Sequence, residues 1–194
     1  MDLLLATRNP HKTREFSELL GRNFALKDLS SKADIVMPKE TGTTFEENAT
    51  LKAVHVSKLA DGLVIADDSG LDVEALGGAP GIYSARYASE KASDVANVDK
   101  LLRKLKEVGN RSARFHCVIA LARAGEVLGI FEGVVEGGIV DSPRGSAGFG
   151  YDPVFQPTGF DRTFGEMASD LKNKISHRGK AVAALQMALR EMEN

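Results

Sequence analysis

The sequence predicts a mixed α/β protein built on a long sheet flanked by helices. Short apolar runs followed by amphipathic helical segments recur along the chain, the alternation that builds strand–helix units. Two long β-patterned segments, "ARFHCVIALA" (113–122) and "EVLGIFEGVVEGGIV" (126–140), are joined only by Arg123–Gly125, a connection short enough to require a hairpin. Units of the first kind pair strands in parallel and a hairpin pairs them antiparallel, so the sheet is expected to be mixed.

In order along the chain, "DLLLAT" (2–7) is an apolar run of strand length. "NPHKTREFSELLG" then reads as a helix with Asn9 as N-cap, Pro10 at the first helical position and Gly21 as the stop. "TTFEENATLKAVHVSKLA" reads as a second helix, with Thr43 or Thr44 and a glutamate three residues on, Glu46 or Glu47, as a capping box. The strand "LVIA" follows and runs into "DDSG". "LDVEALGGAPGIYSARYA" is loop-rich, and "SDVANVDKLLRKLKEVG" is a polar helix whose Val95, Val98, Leu101, Leu102 and Leu105 form one apolar face. After the hairpin, "SPRGSAGFGYDPVFQPTG" is a Gly/Pro loop region. A last helix starts near His177, with Ala181, Leu185, Ala188, Leu189 and Met192 as its stripe.

Composition excludes several classes. The 194 residues, 43% of them hydrophobic, suffice for one substantial core. The 25 basic residues are offset by 27 acidic ones and spread along the chain, which argues against general nucleic-acid binding. Cys117 has no partner for a disulfide, no apolar run approaches a membrane span of roughly 20 residues, and the start of the chain lacks a leader pattern. A soluble cytoplasmic protein is the expectation.

Four stretches carry candidate chemistry, and each has a plain structural reading beside it. In "VIADDSG", Asp67 and Asp68 repel and disfavour a strand; they cap a polar turn, or one of them binds a hard cation while the other orients it or takes a proton. Alternation along a strand would send the two to opposite faces. "TRNPHK" (Thr7, Arg8, Asn9, Pro10, His11, Lys12) is an ordinary Asn-Pro cap, or a helix start whose donors and lysine hold a phosphate. "GFGYDP" turns a corner, or brings backbone close to a ligand with Phe149 and Tyr151 able to stack on a planar base. "LKNKISHRGKA" is solvated surface, or places Lys172, His177 and Arg178 at a helix start to meet phosphate or a base edge. His11, His55 and His116 have no zinc-like spacing.

Together the motifs resemble the inosine triphosphate/xanthosine triphosphate pyrophosphatases, which hydrolyse non-standard purine nucleoside triphosphates to the monophosphate and pyrophosphate. The resemblance runs from Thr7, Asn9 and Lys12 through "ETGTTFEENATLKA", "ADDSGL", "LGGAPGIYSARY" and "FGYDP" to "KNKISHRGKA", nearly the whole chain. It implies a single domain over residues 1–194, in which a long twisted mixed sheet is split into two lobes around a substrate cleft, and a homodimer. It implies that residues Thr7 to Lys12 hold the triphosphate, that Glu40 and Asp68 bind Mg²⁺, and that Asp68 is the catalytic base with Ser69 contacting substrate beside it. Phe149, Gly150, Tyr151 and Asp152 would cradle nucleoside and base, and Lys172, His177 and Arg178 would read the base edge. Lys52 and Arg86 are further phosphate candidates, and the role of Asp67 is open. The other classes are a pyrophosphatase preferring modified pyrimidines, which would lack the "FGYDP…SHR" pairing, and a nucleotide sensor, which would lack Asp68 or Glu40.

Overall fold

The computed structural model describes residues 1–193. Its strands are β1 (Asp2–Leu5), β2 (Ala25–Asp28), β3 (Leu63–Val73), β4 (Ser112–Arg123), β5 (Glu126–Ile139) and β6 (Phe155–Pro157). The helices longer than two turns are α1 (Pro10–Leu20), α2 (Phe45–Ser57), α3 (Asp94–Lys104) and α5 (His177–Glu193), and the shorter α4 spans Ser169–Ile175. Strand order in the sheet is β2-β1-β3-β4-β5-β6. β1 runs parallel to both β2 and β3, and β5 pairs antiparallel with β6, so the mixed sheet is as expected. The chain divides into two compact units, one of residues 1–68, 117–133 and 178–194, the other of residues 69–116 and 134–177.

In the first unit the sheet is buried on both faces, and alternation along the strands decides what each face meets. On one face Leu3, Leu5, Ile65, Cys117, Ile119 and Leu121 pack with Phe16 and Leu20 of α1 and Ala181, Val182, Leu185 and Leu189 of α5. On the other, Leu4, Ala6, Val64, Ala66, Val118 and Ala120 pack with Ala49, Ala53 and Val56 of α2. Small alanines on both sides let α2 lie close to the sheet. In the second unit a separate core gathers Leu71 and Val73 of β3, Val98 and Leu101 of α3, and Phe115, Phe155 and Phe164.

Helix boundaries follow the local chemistry. Asn9 caps α1, its side chain accepting from the His11 and Lys12 N–H groups, with Pro10 next and Gly21 at the far end. Thr44 caps α2 by accepting from the Glu47 N–H, but Glu47 returns to the Thr43 N–H at 2.6 Å, one residue before the cap. The hairpin turns on Ala124 and Gly125, both at positive φ, which suits the twist of the flanking strands.

Three expectations are corrected. β3 does not end at Ala66 but continues through "DDSG" to Val73, so Asp67 and Asp68 lie within a strand and cap no turn. Val95, in the first turn of α3, is 69% exposed, and Leu102 is only half-buried, leaving Val98, Leu101 and Leu105 as the apolar face. On α5, Met192 is 44% exposed because the stripe outruns the core it covers, and Val182 takes the place of Ala188 in the buried face. No helix among the described residues is long and apolar enough to cross a membrane.

Truncating Phe16, fully buried between α1 and the sheet, as Phe16→Ala is expected to cost about 3–5 kcal/mol in denaturant unfolding. Asn9→Ala, which removes only the cap, should cost about 1 kcal/mol in the same measurement.

Candidate active site

Chemistry-bearing side chains gather in each unit, and those of the first are built around β3. Because neighbours on a strand face opposite ways, Asp67 continues the face of Ile65, toward α1 and α5, while Asp68 continues that of Val64 and Ala66, toward α2. Both are buried, and a buried carboxylate is tolerated only with cations and donors around it.

Asp67 receives two cations. Lys12 Nζ lies 2.9 Å from its Oδ2, and Arg178 Nη2 lies 3.4 Å from the same oxygen. Arg178, only 2% exposed, also bonds Glu15 of α1 through Nη1. Burial pushes the Asp67 carboxyl up, but Lys12 and Arg178 more than offset this and hold it well below the usual carboxylate range. At neutral pH Asp67 is thus an anion that fixes Lys12 at the start of α1.

Asp68 faces a different set. Lys52 Nζ stands 2.9 Å from Asp68 Oδ1 and 2.9 Å from Glu40 Oε1, one ammonium between two carboxylates. Asn48 donates to Asp68 Oδ2 at 3.4 Å, and its own Oδ1 accepts from the Gly42 N–H at 2.9 Å, tying the segment that carries Glu40 to α2. Burial raises the Asp68 carboxyl above its ordinary value despite the opposing pull of Lys52 and Lys12. Burial lowers the Lys52 ammonium, but Asp68, Asp67 and Glu40 outweigh it and the net direction is upward. The adjacent aspartates are therefore pushed in opposite directions, the usual mark of separate roles.

The phosphate-type segment is only partly disengaged. The Thr7 hydroxyl accepts from the Asn9 N–H, and Arg8 donates to the carbonyls of Lys32 and Ile35 at 3.1 and 2.8 Å, which makes it a tie to the following loop. His11 is exposed at the helix start.

In the second unit Asp152 plays the part that Asp67 plays in the first. It is buried, its Oδ2 accepts from Lys172 Nζ at 2.6 Å and from the Phe149 N–H at 2.8 Å, and Lys172 sits 5.4 Å from the Phe149 ring centroid. Gly148 is required there: its φ is +75°, and a Cβ would lie 2.0 Å from Asp152 Oδ2. Gly150 N–H is bound by Asp94, and the expectation that Tyr151 stacks on a base is corrected. Its ring is in the core and its hydroxyl donates to the Ser84 carbonyl at 2.9 Å, anchoring the loop. His177 stacks on Phe115 with ring centroids 4.7 Å apart, and Ser69 is half-buried on β3. Arg86 lies over the Tyr83 ring.

Asn48 and Glu15 were missed by sequence reading. Both were legible in principle, since Asn48 is a polar residue on the buried stripe of α2, and Glu15 adjoins Phe16 on α1. Among the described residues no group of three or more His, Cys, Asp or Glu side chains is placed to hold a metal alone. Two carboxylates that already converge on one cation nevertheless fit Mg²⁺, which is held by one or two carboxylates with substrate phosphates and water completing its shell.

On the mixed sheet of the first unit, a carboxylate pair with lysines from the helix faces is the donor set of a phosphoanhydride hydrolase. The sequence model of the Ham1 family matches residues 3–188, and the chain belongs to that family. The dITP/XTP pyrophosphatase of Bacillus subtilis (strain 168) is 48% identical over 97% of this chain and 96% of its own. Among solved structures, the Staphylococcus aureus Ham1 protein superposes with a TM-score of 0.88 at 42% identity, covering 100% of both chains. The HAM1 protein from Coxiella burnetii gives a TM-score of 0.89 at 41% identity, over 98% of this chain and 99% of that one.

Replacing Asp67 by Asn removes the carboxylate that pairs half-buried Lys12 and buried Arg178, leaving Arg178 to Glu15, and is expected to cost about 3–5 kcal/mol in unfolding free energy at neutral pH. Because the folded carboxyl is held below its ordinary value of about 4, its stabilisation is complete above that pH and is lost as pH falls below it. The difference between wild type and Asp67→Asn should therefore narrow on acidification below pH about 4; a gap that stays constant contradicts the assignment.

Proposed function

We propose that this chain hydrolyses non-standard purine nucleoside triphosphates, of the ITP, dITP and XTP kind, to the nucleoside monophosphate and pyrophosphate. The observation that carries this reading is the convergence of Glu40 and Asp68 on one cation position, in a chain nearly half identical to a dITP/XTP pyrophosphatase. In this reading residues 1–194 act as one pyrophosphatase domain, a homodimer in the cytoplasm, on a small nucleotide and not on nucleic acid.

Residues Thr7 to Lys12 receive the triphosphate, supported by the exposed start of α1 and by Lys12, which Asp67 holds in place. Lys52 and Arg178 add positive charge in the same unit. Glu40 and Asp68 hold Mg²⁺, which when bound offsets phosphate charge and acidifies water. Asp68 takes a proton from the water that attacks the α-phosphorus, and pyrophosphate leaves. The place of Asp68 at the end of the buried apolar run of β3, facing Glu40 and Lys52, supports this role. Phosphoryl transfer needs mainly positioning and charge stabilisation, so no covalent nucleophile is required.

Ser69 and the second unit take the nucleoside. Phe149 offers its ring, Gly150, Tyr151 and Asp152 shape the loop, and Lys172 and His177 face the base edge. A donor such as the Lys172 ammonium pairs with a 6-keto oxygen and finds no acceptor in the amino group of adenine, which gives the discrimination against adenine.

Incubated with ITP, XTP, dITP, GTP or ATP and Mg²⁺, the protein is expected to release pyrophosphate from the first three and little from ATP. Orthophosphate as product, or equal rates on ATP, would overturn the reading. Asp68→Asn should keep the circular dichroism spectrum and lose at least about 100-fold in kcat, the scale of a general base; near-normal turnover rules Asp68 out.

A further inference from the structure

The cation position between Glu40 and Asp68 is already taken by a side chain of the protein. Lys52 Nζ is 2.9 Å from one oxygen of each carboxylate, and its side chain is only 7% exposed. Lys52 lies on the buried stripe of α2, between Ala49 and Val56, so the ammonium is delivered to this spot by the packing of the helix. The acceptors are equally fixed. Asp68 is within β3 and also takes the Asn48 amide, and Glu40 is carried by a segment whose Gly42 N–H is bound by Asn48. Gly42 is packed so closely there that a Cβ would stand 2.7 Å from Asn48 Oδ1.

We propose that Lys52 is a built-in placeholder cation, which closes the Glu40–Asp68 pair in the nucleotide-free protein and competes with the divalent metal for it. This rests on the reading above in which Glu40 and Asp68 are the metal ligands. An ammonium satisfies carboxylates at hydrogen-bond distance, near 2.9 Å, whereas Mg²⁺ needs oxygens at about 2.0–2.1 Å, so one pair of oxygens cannot serve both in one geometry. Two like-signed cations a few ångströms apart in a buried site also repel. Metal entry therefore requires the Lys52 ammonium to leave, which is costly without another anion to receive it and is forced only at high metal concentration. The triphosphate is that anion: it offers Lys52 new oxygens at the moment it brings its own metal. The free protein then binds divalent metal weakly, the metal–nucleotide complex is the species captured, and the carboxylates are protected from unproductive occupation by metal alone.

The test is Mn²⁺ binding to the nucleotide-free protein, read by electron paramagnetic resonance of the free ion. Lys52→Met keeps the length of the stem and removes the charge; its Mn²⁺ dissociation constant should fall about ten-fold or more relative to wild type. Unchanged or weaker binding overturns the proposal. Should Lys52→Met fail to fold, as its circular dichroism would show, the wild type decides: the Lys52 Cε signal in a carbon-13 NMR titration should move as Mg²⁺ is added without nucleotide, and a stationary signal at metal saturation overturns the proposal. The function is judged separately by pyrophosphate release. An active wild type whose Lys52→Met gains no Mn²⁺ affinity sinks the placeholder alone, whereas an inactive wild type whose variant gains it sinks the function alone.

Discussion

Two ionised carboxylates on consecutive residues of a buried strand set the constraint around which the first unit is built. Each would cost several kcal/mol if left unpaired, and strand alternation forbids one cation from serving both at hydrogen-bond distance. Cations must then arrive on both faces of the sheet. They come from the helices that bury those faces: Lys12 from α1 and Arg178 from α5 on one side, Lys52 from α2 on the other. In each helix the cation belongs to the apolar stripe. Lys12 is followed at four-residue steps by Phe16 and Leu20, Arg178 at steps of four and then three by Val182 and Leu185, and Lys52 sits between Ala49 and Val56. The contacts that form the core therefore also aim the charges.

That arrangement explains why neighbours so alike in sequence diverge in character. Asp67 meets two cations and is locked as an anion; Asp68 meets one, shared with Glu40, and burial prevails over it. A carboxylate held ionised by two cations is poor at exchanging protons or ligands. One whose single cation is divided with a second acid is better suited to both.

Much of this was legible in the sequence. The caps of α1 and α2, the hairpin and the mixed sheet follow from local signals, because Asn-Pro, Thr-x-x-Glu and a two-residue turn with glycine act over a few residues. The "DDSG" segment was harder: aspartate disfavours strands locally, and the cations that override this preference come from residues 12, 52 and 178, far along the chain. Lysine and arginine on an apolar stripe read as snorkelling surface residues until a buried acid is known to face them. Tyr151 illustrates the opposite error, since an aromatic in a glycine loop suggests a stacking platform, while the Ser84 carbonyl that claims its hydroxyl is invisible to local reading.

The second unit repeats the device with a different consequence. Asp152 holds Lys172 at 2.6 Å, yet its same oxygen also binds the Phe149 N–H, and Gly148 makes room for it. Here, as at Asp67, one carboxylate oxygen gathers two donors, and the lysine among them is not shared with a second acid among the described residues. An ammonium held over an aromatic ring by a buried acid is a donor that cannot turn away, and it penalises any partner offering another donor. An unshared charge in the second unit thus suits discrimination between bases, while the charge that Asp68 shares with Glu40 suits exchange of metal, water and proton. The difference follows from whether the lysine facing each buried carboxylate is divided with a second acid.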